Sequence, residues 1–220
     1  MLFPNEREPN IPGWLRIGFW VCIVISIAVV IRRLVALAGP PRSSPPQMAG
    51  LDQVFAAHTA LTLAHILPAL AFVLIVPFAI LRRFSRLTWP EPSIFALGAV
   101  VGITAFAMGA NAIGGWTERS AVLFYNTLFL FSMGRAWLYR RRGLSAQKRQ
   151  WLIRSVAVLL GIATTRPVMG IFFATSSMTH LSAQRFFGIA FWIGFSINWA
   201  IVEIWLHSNA VVLRAERLES

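Results

Sequence analysis

Two histidines and one arginine lie inside long apolar stretches of this sequence. His65 and, seven residues before it, His58 belong to the stretch 56–81, and Arg166 lies near the middle of the stretch 151–175. An imidazole can accept a hydrogen bond, move a proton or bind haem iron, and a guanidinium can hold an anion or a carbonyl oxygen. Such residues inside a membrane span would be functional candidates by default.

Each of these residues also has a purely structural interpretation. Arg166 can be an internal polar contact held by Asn126, and His65 can be an uncharged imidazole bonded to a neighbouring helix. The functional interpretation is one shared cavity, since counting from the ends of each stretch at about 1.5 Å per residue puts these residues at similar depth. The residues predicted to line it are His65, Arg166, Asn126, Asn111 and His58.

Three further charged residues are predicted to lie together at the other end of the helices. Glu203 comes about one helical turn before the end of the last apolar stretch, and Arg135 and Arg154 lie near the ends of theirs. We expect a structural charge pair there. A proton relay would need a continuing series of polar groups, and Asn198 alone offers one on the same helix.

The composition excludes an ordinary soluble domain. Of 220 residues, 57% are hydrophobic and 13% are charged, which predicts an all-α, polytopic membrane protein. The formal net charge of +12 is typical of cytoplasmic loops that contact anionic lipid headgroups, so we expect membrane lipids and no nucleic acid as partners. The oligomeric state is left open. The single cysteine, Cys22, excludes an internal disulfide and a thiolate metal cluster.

Six stretches are long enough to cross the hydrocarbon as helices, which takes about 20 residues. The predicted spans are 14–38, 56–81, 93–115, 119–139, 151–175 and 184–206. We expect residues 1–13 to be a disordered lead and residues 208–220 a cytoplasmic tail. Basic runs follow the second and fourth spans, which predicts that both termini are cytoplasmic. The proline-rich stretch 39–51 is expected to be an extended loop.

Details of the first and third spans add two expectations. The first span crosses only if Arg32 and Arg33 snorkel outward. Its alternative is a signal peptide cleaved after residues 36–38, which the acidic residues before the apolar run disfavour. The third span has glycines that predict close contact with a neighbouring helix, namely Gly98, Gly102 and Gly109.

Three ordered segments carry a family resemblance. The first contains His65, Ile66, Ala69, Leu70, Ala71, Val76, Pro77, Phe78, Leu81 and Arg82. The second is Trp151, Leu152, Ile153, Arg154 and Ser155, followed by Thr165 and Arg166, and the third is Asn198 followed by Glu203. Over residues 55–206, their order and spacing resemble a family of bacterial membrane proteins known as domain of unknown function 2306.

The resemblance implies a multi-pass protein of the bacterial inner membrane. It supports the choice of His65, Arg166, Asn198 and Glu203 but names no reaction. Members often carry histidines in the two basic loops, where this chain has Thr88 and Lys148. If those histidines serve a cofactor, this chain has lost that use.

Function is predicted less sharply than architecture. The sequence contains no phosphate-binding glycine loop, HExxH, CxxC or serine elbow. This favours a non-catalytic module that binds a lipophilic or anionic small ligand, or a partner, in the polar cavity. A small transporter is a further alternative, although repeated broken helices are missing.

A redox protein with haem b or a quinone is the main alternative. His65 would bind the iron or bond the quinone, and Arg166 would hold an anionic group. Two histidines that bind one haem normally come from facing helices, whereas His58 and His65 are predicted on one helix. We expect His180 and His207 to be interfacial.

Overall fold

The computed structural model describes residues 11–39, 46–81, 89–179 and 182–218. This part of the chain is all-α, as predicted. The helices are α1 (Gly13–Ala38), α2 (Pro46–Ala57), α3 (Thr59–Ile80), α4 (Pro90–Gly109), α5 (Gly115–Arg141), α6 (Ser145–Thr179) and α7 (Ala183–Leu218). The predictions for the lead up to residue 10, for the basic run within 82–88 and for His180 lie outside the described residues.

Within the described part of the chain, five helices are long and apolar enough to cross a membrane, namely α1, α3, α4, α6 and α7. The chain is therefore a multi-pass membrane protein. α5 covers the fourth predicted span and has 27 residues, but it is not among the five. Its interior carries Asn126 and Arg135, which lower its mean hydropathy.

The second predicted span is broken at His58. α2 ends at Ala57 and α3 begins at Thr59, while His58 between them has φ −122° and ψ 43°. The expected extended loop is also wrong from Pro46 onward, because α2 begins there. Proline suits the first position of a helix, where its missing N–H removes no intrahelical hydrogen bond.

The connection between α4 and α5 differs from the predicted one. α4 ends at Gly109 and α5 begins at Gly115, whose φ is +63°. The third span was therefore predicted too long, and the turn expected at residues 116–118 is the first turn of α5. Glycine adopts a positive φ at little cost, and the Glu118 carboxylate accepts a hydrogen bond from the Gly114 N–H at 2.6 Å.

α6 is the central helix and packs against α5, α7, α1 and α3. α4 lies between α3 and α5, where its glycines allow the close contact that the sequence predicts. A Cβ at Gly102 would lie 2.3 Å from Leu130 Cδ2 on α5. At Gly194 of α7, a Cβ would lie 2.7 Å from the backbone nitrogen of Thr165 on α6, so these two backbones nearly touch.

Candidate functional site

A cavity of about 240 Å³ lies inside the bundle, near the end where α4 joins α5. We call it the central cavity. All seven helices contribute to its wall, which is mostly apolar and aromatic. Its polar lining residues are Ser26, Arg33, Thr62, His65, Asn111, Glu118, Tyr125, Asn126 and Arg166. An apolar pocket with a few converging polar groups is typical of a small-ligand site.

The cavity brings together four of the five residues that were predicted to share a site. His65 lies on α3, Asn126 on α5 and Arg166 on α6, and all three line the wall. Asn111 lines it too, but from the turn after α4. His58 is exposed and does not line the cavity, because the helix break places it at the start of α3, out of phase with His65.

Arg166 has no hydrogen-bond partner among the described residues, and its Nε is fully buried. The residue is half-buried and lines the central cavity. The expected internal contact with Asn126 is not formed among the described residues, and Asn126 Nδ2 donates to Gly102 O at 2.9 Å. Thr164, two residues before Arg166, donates to Asn198 Oδ1 at 2.7 Å.

A second guanidinium, that of Arg33, lines the same cavity. Its Nη1 lies 2.6 Å from Asp52 Oδ1 on α2, and its side chain is 13% exposed. Arg32 Nη2 contacts the other carboxylate oxygen at 2.9 Å. The expectation that both arginines snorkel outward is therefore wrong for Arg33, because α2 supplies a buried carboxylate and the ring of Phe55 lies 3.8 Å below its guanidinium.

His65 is fixed from the neighbouring helix. Its Nδ1 lies 2.9 Å from Thr104 Oγ1, and the Thr104 hydroxyl lies 2.7 Å from Val100 O. A hydroxyl has one proton, so when Thr104 donates to the carbonyl it accepts from His65. In that arrangement the ring proton lies on Nδ1 and Nε2 is an acceptor.

Glu118 and the aromatic residues of the wall were missed from the sequence. Burial raises the pKa of the Glu118 carboxyl, although the Gly114 N–H favours its charged form. Tyr125 Oη lies 2.6 Å from Ser196 Oγ. Phe187, Phe191 and Phe195 line one side of the cavity, and their four-residue spacing on α7 is the signal that was available.

The predicted charge cluster lies away from the cavity. Arg154 forms two contacts with Glu203, at 2.6 Å from Nε and 3.2 Å from Nη2. Arg135 takes another partner and donates to Tyr139 Oη at 2.6 Å. Its guanidinium and that of Arg154 lie 5.3 and 4.7 Å from the ring centre of Trp151. The ring gives Arg135 a cation–π contact in place of a carboxylate, while Arg135 Nε is buried without a hydrogen-bond partner among the described residues. His207 is exposed.

A second cavity, of about 350 Å³, lies between α1 and the helices α6 and α7. We call it the α1 cleft. Its wall is apolar apart from Arg16, Cys22, Thr164 and Asn198. The Cys22 thiol is partly buried and lies beside the hydrogen-bonded pair of Thr164 and Asn198. This arrangement offers space for an apolar group but few hydrogen bonds.

No protein-family model matches the chain, and no curated protein or solved structure matches it either. The resemblance of residues 55–206 to domain of unknown function 2306 therefore stays a prediction.

Proposed function

We propose that the chain is a non-catalytic protein of the bacterial inner membrane that binds a small amphiphilic ligand in the central cavity. The observation that carries the proposal is the Arg166 guanidinium, which faces the cavity without a partner among the described residues. An arginine at the middle of a membrane span costs about 2.5 to 3.5 kcal/mol on insertion scales. A ligand oxygen that accepts its hydrogen bonds offsets that cost.

The proposed topology has six spans, with α5 as the span that composition alone does not identify. α5 packs between α4, α6 and α7, and its Asn126 side chain is buried and hydrogen-bonded. A polar side chain satisfied in this way is compatible with a span inside a bundle. The basic residues around the α5–α6 connection favour a cytoplasmic location for that end, so the central cavity would lie in the outer half of the membrane.

The wall of the cavity suits a ligand with one polar end. Arg166 offers donors and His65 Nε2 offers an acceptor, while Phe129, Phe191 and Phe195 provide apolar surface. Burying that surface together with a ligand chain contributes roughly 25 cal/mol per Å² of apolar area. The polar groups then select which head is bound.

The test is the small-molecule content of the purified protein. Protein prepared in a mild neutral detergent is extracted and analysed by mass spectrometry, as the native chain and as Arg166→Gln. We expect one amphiphile at close to one molecule per chain in the native protein and at least tenfold less in the variant. Arg141→Gln is the matched control, because Arg141 is exposed and lies outside the cavity.

The proposal is wrong if the native protein and the Arg166→Gln variant carry the same small molecules in the same amounts. Both proteins must elute as single folded species for this comparison. If Arg166→Gln does not fold, a second variant, Arg166→Lys, serves as the test. It keeps the positive charge but cannot form the bidentate hydrogen bonds of a guanidinium. It should retain an intermediate amount.

A second candidate, a quinone or haem protein, is favoured by His65, which lines the cavity and whose Nδ1 is held by a hydrogen bond. Axial histidines commonly bind iron through one ring nitrogen while the other is held by a hydrogen bond, as Nδ1 is here. The absorption spectrum is measured before and after reduction with dithionite. A haem band that disappears in His65→Ala would support this candidate, and a colourless protein would exclude haem.

A further inference from the structure

Two guanidinium groups from different helices share the wall of the central cavity. Arg33 reaches it from α1 and Arg166 from α6. Both guanidinium groups therefore face one enclosed space of about 240 Å³. Like charges in a low-dielectric interior repel strongly, so this part of the bundle is stabilised by any anion that comes between them.

Two carboxylates lie near the cavity, those of Asp52 and Glu118, and neither forms an ion pair with Arg166 among the described residues. Asp52 is shared by Arg32 and Arg33, at 2.9 and 2.6 Å. Glu118 also lines the cavity, but one of its oxygens is bonded to the Gly114 N–H at 2.6 Å. Among the described residues, no ion pair joins Glu118 to either arginine of the wall. Arg166 therefore forms no ion pair with a carboxylate among residues 11–39, 46–81, 89–179 and 182–218.

We infer that the ligand of the central cavity is an anionic amphiphile whose charged head lies between Arg33 and Arg166. The inference rests on the proposed function and names the class of ligand for that site. A carboxylate or phosphate oxygen accepts charge-assisted hydrogen bonds from both guanidinium groups. A neutral carbonyl, such as that of a quinone, satisfies one donor but leaves the repulsion between the arginines in place.

The size of the cavity limits how much of the ligand it can hold. Its volume of about 240 Å³ is below the range of about 300 to 1,000 Å³ for pockets that enclose a whole drug-sized ligand. The head and the first carbons fit, and the rest of the chain must pass between helices into the lipid. A fatty-acid carboxylate and the phosphodiester of a membrane lipid share this chemistry.

The experiment measures binding to delipidated protein in a neutral detergent. The probes are oleate and phosphatidylglycerol, with oleyl alcohol and phosphatidylcholine as partners that lack the net negative charge. We expect at least one of the two anionic probes to bind at least about tenfold more tightly than its matched probe without net negative charge. The matched pairs are oleate with oleyl alcohol and phosphatidylglycerol with phosphatidylcholine. Oleate alone would identify a carboxylate head, and phosphatidylglycerol alone a phosphodiester.

The variants separate the two arginines from their neighbours. Arg166→Gln and Arg33→Gln should each weaken binding of the anionic probe by about tenfold or more. Arg32→Gln is the matched control, because Arg32 pairs with Asp52 but does not line the cavity. Asp52→Asn should tighten binding several-fold, since it removes the carboxylate that competes for Arg33. This gain keeps the inference testable if Arg33→Gln does not fold.

Equal binding of charged and neutral probes, unchanged by Asp52→Asn, would overturn the inference. In that case the loss of the natural small molecule in Arg166→Gln would still support the proposed function. If no probe binds and Arg166→Gln leaves the small-molecule content unchanged, the proposed function fails as well.

Discussion

His65 Nδ1 and Thr104 Oγ1 lie 2.9 Å apart across the contact between α3 and α4. The bond fixes the ring orientation of a histidine that lines the central cavity. It joins a candidate ligand contact on one helix to the hydroxyl of another, so a change in the α3–α4 packing changes the position of Nε2.

The first prediction concerns the tautomer of this ring. In protein labelled with ¹⁵N-histidine, the uncharged His65 ring should show a protonated Nδ1 and an unprotonated Nε2. Thr104→Val removes the acceptor and should abolish this preference. Thr127→Val is the control, because Thr127 is exposed and donates to Leu123 O of its own helix. Identical His65 shifts in both variants would show that the bond is not formed.

The second prediction uses the close backbone contact between α6 and α7 at Gly194. In Gly194→Ala, the new Cβ would lie 2.7 Å from Thr165 N and 2.9 Å from Thr165 Cα. Backbone atoms cannot rotate away, so α6 and α7 must separate, and we expect a loss of about 1 to 3 kcal/mol in the free energy of unfolding. In the control Gly170→Ala, nothing lies within 4 Å of the new Cβ. Equal unfolding midpoints for the two variants in a denaturant titration would contradict the packing.

The third prediction concerns the ion pair of Arg154 and Glu203. Their side chains are 18% and 34% exposed, so the ion pair is half-buried. We expect Glu203→Gln to lower the free energy of unfolding by about 1 to 2 kcal/mol. The double variant with Arg154→Gln should lose less than the sum of the two single losses. Additive losses in this cycle would mean that the pair contributes no coupling energy.

The fourth prediction is a pH dependence that comes from Glu118, which precedes the fourth predicted span. Burial raises the pKa of its carboxyl above the ordinary value of 4.5. The folded chain therefore binds this proton more tightly than the unfolded chain does. The contribution to stability is fully present below pH 4.5 and is lost as the pH rises through the raised pKa.

Thermal unfolding from pH 4 to pH 8 tests this sign. Glu118→Gln cannot titrate, so its stability relative to the native chain should increase as the pH rises. Parallel pH profiles for the two proteins would show that Glu118 keeps its ordinary pKa.

The positions of the long helices were predictable because their signal is a continuous apolar run. α1 begins and ends within one residue of the first predicted span, and α6 and α7 contain the fifth and sixth. The errors lie where local turn chemistry decides. Pro46 starts a helix in a stretch that looks like a loop, and Gly115 begins α5 with a positive φ.

Depth counting placed His65, Asn126 and Arg166 around one cavity because the rise per residue of a helix is constant. The same count failed for His58, where a single non-helical residue interrupts the phase. Arg33 was missed for a different reason. Its carboxylate partner comes from α2, and a contact between distant segments leaves no trace in the periodicity of either.

Cys22 gives the α1 cleft a thiol that can be labelled selectively, because the chain has no other cysteine. It is the single cysteine of the chain, and it faces the gap between α1 and the helices α6 and α7. A thiol reagent that partitions into lipid therefore reacts at one site, without any engineered background. The rate at which Cys22 is modified therefore measures how often α1 separates from the bundle. A spin label attached to Cys22 reports the same motion without any substitution in the chain.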